Sequence, residues 1–264
     1  MTSRASSPGD FVELFGLKFC NLDQEAAAKA VIAAAKKREK GLVVTPNVDH
    51  IVAIHRDRLA REAYQNAGWV FADGMPIVWL SQFTKGAGLR GRVTGADLLP
   101  RLCELAAQSE VSVYFSGGMP GVAERIITRL SERCPGLSVV GFDSPPLGFE
   151  RDQEETRRVV SGISAAKPDL LFLGYGTPKQ EIWAYQHLAS LNVGPILCFG
   201  GAFDMAAGLR PRAPVLMQRA GAEWLWRLFL EPRRLGKRYF GRDLEFFGLA
   251  ARELLKGRLN GGQS

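Results

Sequence analysis

The chain has 264 residues, 46% hydrophobic and 23% charged, an ordinary globular composition large enough for one sizeable core with a small appendage. Its +7 charge is uneven: from Arg210 onward twelve basic residues stand against five acidic ones, so residues 1–209 are formally neutral and the tail suits an anionic partner. Four scattered cysteines argue against a disulfide framework, the polar start argues against a signal peptide, and no run reaches the roughly 18 apolar residues of a membrane span; the expected setting is cytoplasmic.

In chain order, residues 1–10 read as disordered. Phe11 to Cys20 suggests a hairpin turning at Gly16. Asn21 or Asp23 can cap an alanine-rich helix from Gln24 to Lys40, ended by Gly41. Leu42 to Val44 is a buried strand followed by Thr45-Pro46-Asn47, and one helix is expected from Val48 to Asn66 on the spacing of Ile51, Ile54, Leu59 and Ala63. Trp69 to Phe71 is a strand that stops at Asp73-Gly74, and Met75 to Thr84 is a helix. Residues 85–92 form a glycine-rich basic loop, and a helix follows Asp97. The strands Val111–Phe115, Leu137–Phe142, Asp169–Leu173 and Pro195–Phe199 then alternate with helices. Near-continuous apolar strands alternating with helices imply an α/β fold, a mostly parallel sheet covered on both faces. Past about residue 206 the alternation stops and the chain becomes helical and basic.

Five strand ends carry polar or glycine turns: Thr45-Pro46-Asn47, Asp73-Gly74, Gly117-Gly118, Gly174 to Gln180, and Gly200-Gly201. In a parallel sheet all five open on one edge, where ligands bind. Glycines there would let backbone N–H groups approach a phosphate. The usual fingerprints do not fit: Lys179 stands where G-x-G-x-x-G needs its last glycine, and no P-loop motif occurs. No Asp-x-Asp pair or His cluster offers a metal site, and no cofactor is implied. Without a metal a diphosphate needs protein cations, and Arg92 and Lys179 are the rim candidates. On local sequence Asp73 reads first as the cap of the next helix; among five rim turns it reads instead as a carboxylate facing a ligand. The tail combines Tyr239, Phe240, Leu244, Phe247 and Leu254 at helical spacing with Lys237, Arg238 and Arg242. That suits an anionic membrane surface, or a helix packed on the core or on another subunit. A nucleotide-binding oxidoreductase is one rival reading. A nucleic-acid-binding protein is another, and it leaves the five rim turns unexplained, so no nucleic-acid partner is expected.

Taken together, Thr45-Pro-Asn47, Ala72-Asp73-Gly74, Arg92-Val-Thr-Gly95-x-Asp97, Gly174-x-Gly-x-Pro-Lys179-Gln180-Glu181, Gly200-Gly201-x-Phe203-Asp204, Arg212-Ala-Pro214 and Glu223-Trp-x-x-Arg227 through Glu231-Pro-x-Arg234 resemble the WecG/TagA/CpsF glycosyltransferases over residues 11 to about 245. The resemblance implies a Rossmann-like core over residues 11–206 and a membrane-docking helical appendage over 207–264. It implies an inverting, metal-independent transfer from a UDP-sugar (N-acetylmannosamine, its uronate, or glucose) to a polyprenyl-diphosphate-linked saccharide at the inner face of the plasma membrane. By position, Asp73 would be the general base. Thr45, Asn47, Arg92 and Gln180 would line the donor and acceptor site, with Gly117, Gly118, Gly174, Lys179, Gly200, Gly201, Phe203 and Asp204 around it. Arg227 and Arg234 would meet the acceptor diphosphate. A site completed by the tail could be closed within one chain or shared in a homo-oligomer.

Overall fold

A computed structural model describes residues 11–84, 88–214, 216–217, 223–230, 232 and 244–259. The chain opens with a hairpin, β1 (Phe11–Leu14) and β2 (Leu17–Cys20), paired antiparallel around Phe15 and Gly16. Both turn residues take positive φ, 55° and 72°, which fits the twist of a two-residue hairpin loop.

The body is a six-stranded sheet in the order β4-β3-β8-β7-β5-β6. Its strands are β3 (Gly41–Val44), β4 (Trp69–Val70), β5 (Val113–Gly117), β6 (Val139–Asp143), β7 (Leu170–Gly174) and β8 (Pro195–Cys198). Every neighbouring pair is parallel. Side chains alternate across it. Val43, Phe115, Phe172 and Leu197 face a core closed by α1 (Gln24–Lys36), α5 (Gly95–Gln108), α6 (Val122–Arg133) and α9 (Gly200–Ala206). Leu42, Val44, Leu171, Leu173 and Ile196 face the opposite core, closed by the hairpin, α2 (Val48–Arg56), α3 (Arg58–Gln65), α7 (Gln153–Ala166) and α8 (Lys179–His187). Burial on both faces is why the strands read as unbroken apolar runs. The expected α/β, Rossmann-like arrangement is therefore the observed one.

Three helices depart from expectation, one of them only in ending at Ser81 where Met75 to Thr84 was expected. The alanine-rich helix is capped by Asp23, whose carboxylate accepts from the Ala26 N–H at 2.8 Å, and it ends at Lys36 rather than Lys40. The helix expected over residues 48–66 is two. Asp57 leaves helical geometry (φ −114°, ψ 121°), ending α2 and capping α3 by accepting from Leu59 N and Ala60 N. Its short side chain satisfies the first free N–H groups of α3 directly, which favours the break. Leu59, expected on the buried stripe, is accordingly 40% exposed.

Three further helices complete the described chain: α4 (Met75–Ser81), which buries Ile77 and Val78 in the hairpin-side core, α10 (Glu223–Leu230) and α11 (Leu244–Leu259). α11 seats Phe246 and Leu249 in the hairpin-side core, with Phe246 against Phe15 and Glu245 paired to Arg56 of α2. So part of the basic tail packs on the body, while Phe247 and Leu255 face outward. The expected contributions of Tyr239, Phe240, Lys237, Arg238 and Arg242 lie outside the described residues. No helix among the described residues is long and apolar enough to cross a membrane.

Candidate functional site

Because the sheet is parallel, the turns after β3, β4, β5, β7 and β8 share its carboxyl edge. Thr45, only 6% exposed, follows β3. Asn47 caps α2: its Oδ1 accepts from Asp49 N at 3.0 Å and His50 N at 3.3 Å, and His50 Nδ1 accepts from Asn47 N at 3.4 Å. Past β4 the backbone stays tied to its neighbours. The Asp73 N–H donates to Pro46 O at 3.0 Å, and the Val93 N–H donates to Ala72 O at 2.9 Å. Asp73 is thus held between the Thr45–Asn47 turn and the Arg92–Thr94 segment. The cap position of α4 belongs to Gly74 (φ +146°), with no side-chain cap hydrogen bond. Asp73 is therefore not the N-cap that local sequence suggested.

Arg92, also nearly buried, begins a chain of alternating charges. Its guanidinium lies 3.3 Å from Glu223 Oε2 of α10. Glu223 Oε1 lies 3.4 Å from Arg212, which donates to Asp97 Oδ1 at 2.8 Å. Thr94, the cap of α5, donates its hydroxyl to Asp97 Oδ2 at 2.8 Å. Burial pushes the Asp97 carboxyl up, but the bonds from Arg212 and Thr94 outweigh it and hold the carboxyl below its ordinary range. Arg212 loses solvation too, yet Asp97, Glu223 and the nearby Asp73 keep it more firmly protonated than an ordinary guanidinium. Arg227 falls within α10 with its side chain outside the described set, and Arg234 lies outside the described residues altogether.

The glycine turns serve packing first. A Cβ on Gly117 would lie 2.6 Å from the Gly174 carbonyl carbon, and one on Gly174 would lie 2.5 Å from the Phe203 ring. The Gly118 N–H donates to Gly174 O at 3.1 Å, so that amide is already used inside the protein. The same is true of Gly200, whose N–H donates to Gln180 Oε1 at 3.1 Å. Gly201 is exposed and open. Phe203, 1% exposed, is a core residue beneath the turns, edge-on to Phe115. Asp204 pairs with Arg210 at 3.1 Å, and Lys179 pairs with Glu150 at 3.1 Å.

Gln180 is 2% exposed and sits between two turns. Its Nε2 donates to Glu181 Oε1 at 2.9 Å while its Oε1 takes the Gly200 N–H. Glu181 is 1% exposed. Its Oε1 also accepts from Tyr64 at 3.1 Å and Thr177 at 3.2 Å, while its buried Oε2 has no hydrogen-bond partner. Burial pushes this carboxyl up to about 7 against the pull of those bonds. Residue-by-residue reading missed Glu181, Arg212, Glu223 and Tyr64 as parts of this region. The first three stand inside the quoted motifs, whereas nothing in the sequence around Tyr64 marks it.

The rim thus joins a partly exposed carboxylate, Asp73, to a cationic flank at Arg92 and Arg212, with a rigid glycine-lined floor beside them. A carboxylate beside fixed guanidinium groups can take a proton from a hydroxyl while the cations hold an anionic leaving group. Among the described residues no group of three or more His, Cys, Asp or Glu side chains is placed to hold a metal ion.

Comparison with known proteins gives this geometry its context. Residues 12–260 match the model of the Glycosyl transferase WecG/TagA/CpsF family. The chain is 34% identical over 171 residues to an N-acetylglucosaminyldiphosphoundecaprenol N-acetyl-beta-D-mannosaminyltransferase of Bacillus spizizenii, a match covering 64% of this chain and 63% of that protein. It is 28% identical to the enzyme of the same name from Bacillus subtilis, over 73% of each chain. With the Staphylococcus aureus enzyme of that name it is 26% identical over 90% of this chain and 91% of the relative. A family match spanning nearly the whole described chain, core and tail together, settles the assignment: this chain belongs to the WecG/TagA/CpsF family of glycosyl transferases.

Proposed function

We propose that the protein transfers N-acetylmannosamine, with inversion and without a metal, from its UDP conjugate to a sugar hydroxyl on a polyprenyl-diphosphate carrier. The relatives' names support this donor sugar and this kind of acceptor. In this reading Asp73 takes the proton of the acceptor hydroxyl. The hydroxyl oxygen forms a bond to the anomeric carbon while the bond from that carbon to the UDP oxygen breaks on the opposite face. UDP leaves with the bonding pair, its charge met by Arg92, while Arg227 and Arg234 of the tail meet the diphosphate of the lipid-linked acceptor. Thr45, Asn47 and Gln180 flank the reacting sugars. The basic tail meets an anionic membrane surface on the inner face of the plasma membrane, where the lipid acceptor resides, and the product feeds a cell-surface polymer.

The observation that carries this reading is the seat of Asp73. It lies at the carboxyl end of β4, tied through backbone bonds to the Thr45–Asn47 turn and to the segment that begins at Arg92, with Arg212 in electrostatic reach. The test is UDP release from UDP-N-acetylmannosamine in the presence of a lipid-diphosphate-linked N-acetylglucosamine acceptor. Asp73→Asn should fold normally and lose turnover by roughly 100-fold or more. Near-normal turnover by a well-folded Asp73→Asn protein would remove Asp73 as the base. Loss of wild-type activity in a chelator, restored by a divalent ion, would refute metal independence.

A further inference from the structure

Position 181 is the third residue of α8, buried beside Tyr64 and Cys198 of the hairpin-side core. A carboxyl at 1% exposure is a costly choice there, and a Met or Leu would fill the space without desolvating a charge. The start of a helix favours an acid, but only by a fraction of the desolvation cost. The geometry shows what the carboxyl does. Three donors from three places converge on the single atom Oε1: Tyr64 from α3, Thr177 from the turn after β7, and the carboxamide of Gln180.

The third bond has a directional consequence. A carboxamide can sit either way round, and here its Nε2 is committed to Glu181, so its Oε1 faces the Gly200 N–H at 3.1 Å. That N–H belongs to the first residue of α9 and has no partner within its own helix. Without the acceptor at Glu181, a reversed carboxamide would set a donor against the Gly200 donor. The fit is close, since a Cβ on Gly200 would lie 2.9 Å from Gln180 Oε1 and 3.2 Å from Gly176 Cα. Gln180 therefore pins the turn after β7 to the turn after β8, and Glu181 at one end and the Gly200 N–H at the other select the same orientation of its carboxamide.

We propose that Glu181 is a positioning residue for the transfer: its Oε1 fixes the orientation of the Gln180 carboxamide and, through it, the Gly176 and Gly200 turns that face the bound sugars. This rests on the reading that these turns border the donor and acceptor. Glu181 touches no substrate itself and acts through Gln180.

A double-mutant cycle in the UDP-release assay tests it. Gln180→Ala and Glu181→Ala should each lower kcat by roughly 10- to 100-fold, the scale of a small misplacement at a reacting site. The double variant should lose no more than Gln180→Ala alone, because the two act as one unit. Glu181→Gln supplies an oxygen at the same place and should recover kcat to within about fivefold of wild type, because a neutral acceptor oxygen still meets the three donors. Losses that multiply in the double variant, or a folded Glu181→Ala protein with wild-type kcat, would overturn the proposal. If Glu181→Ala does not fold, Glu181→Gln decides: wild-type melting with kcat down by roughly 20-fold or more would sink the orientation argument, since its acceptor oxygen remains. An inactive wild type, or a Gln180→Ala protein as fast as wild type, would instead refute the underlying reading of the site.

Discussion

The buried carboxyl of Glu181 should leave a signature in folding stability that needs no substrate. In the unfolded chain it titrates near the ordinary value of 4.5, and in the folded protein burial moves it up to about 7. Between those values the native state holds a proton that the unfolded state has released, so stability falls as pH rises through the window. The contribution is fully present below 4.5 and is lost on reaching the folded value, a total of about 3 kcal/mol, most of it between pH 5 and 8. Few other groups touch Glu181. Tyr64 and Cys198 are both held neutral by burial, Thr177 and Gln180 carry no charge, and His50 meets the Tyr64 ring in a tilted contact with centroids 6.2 Å apart. The measurement is urea unfolding at several pH values from 5 to 8, for wild type and Glu181→Gln. The difference between the two stabilities should shrink or change sign by about 2–3 kcal/mol over that range, with the glutamine variant gaining as pH rises. Parallel curves would show that the carboxyl ionises freely in the folded protein, and the account of its burial would fail.

Two further outcomes follow from the rim. Gly174→Ala places a methyl group 2.5 Å from the Phe203 ring, so it should cost about 1–3 kcal/mol and lower the melting midpoint by several degrees. Unchanged melting with weakened UDP binding would mean that this glycine serves a phosphate rather than packing. Glu223→Gln withdraws the charge shared by Arg92 and Arg212, both mostly buried, and should destabilise by about 1–3 kcal/mol in chemical denaturation; an unchanged midpoint would show that α10 is not held by this contact.

The sheet was legible because both its faces are covered. Runs such as Leu170-Leu171-Phe172-Leu173 had no polar position to disguise them, and parallel pairing then put the turns on one edge. The break at Asp57 was not legible. Apolar spacing continued through it, and a mid-helix aspartate looks like an ordinary solvated position until its side chain is seen bonding Leu59 N and Ala60 N. At the rim, glycine identified the turns but not the reason for them. Gly117 and Gly174 are small because the neighbouring backbone and the Phe203 ring occupy the space, a tertiary fact with no local signal. Gln180 and Phe203 were expected at the site on motif position. The structure buries both, one as a bridge between turns and one as core. Arg212 and Glu223 gain meaning only when the tail returns to Asp97 and Arg92, contacts that span more than a hundred residues of sequence.

The contact between the turns after β5, β7 and β8 also sets limits on change. Gly117 meets Gly174, Gly174 meets Phe203, and Gly200 meets Gln180 and Gly176, each without room for one more carbon. Such a floor cannot be re-cut one side chain at a time, because any enlargement strikes the adjacent turn. If these turns border the sugars as proposed, new sugar preferences would arise where atoms are not already in contact, at the open Gly201 and along the flank where α10 meets Arg92. A chain built this way keeps one fixed floor while its margins remain free to drift.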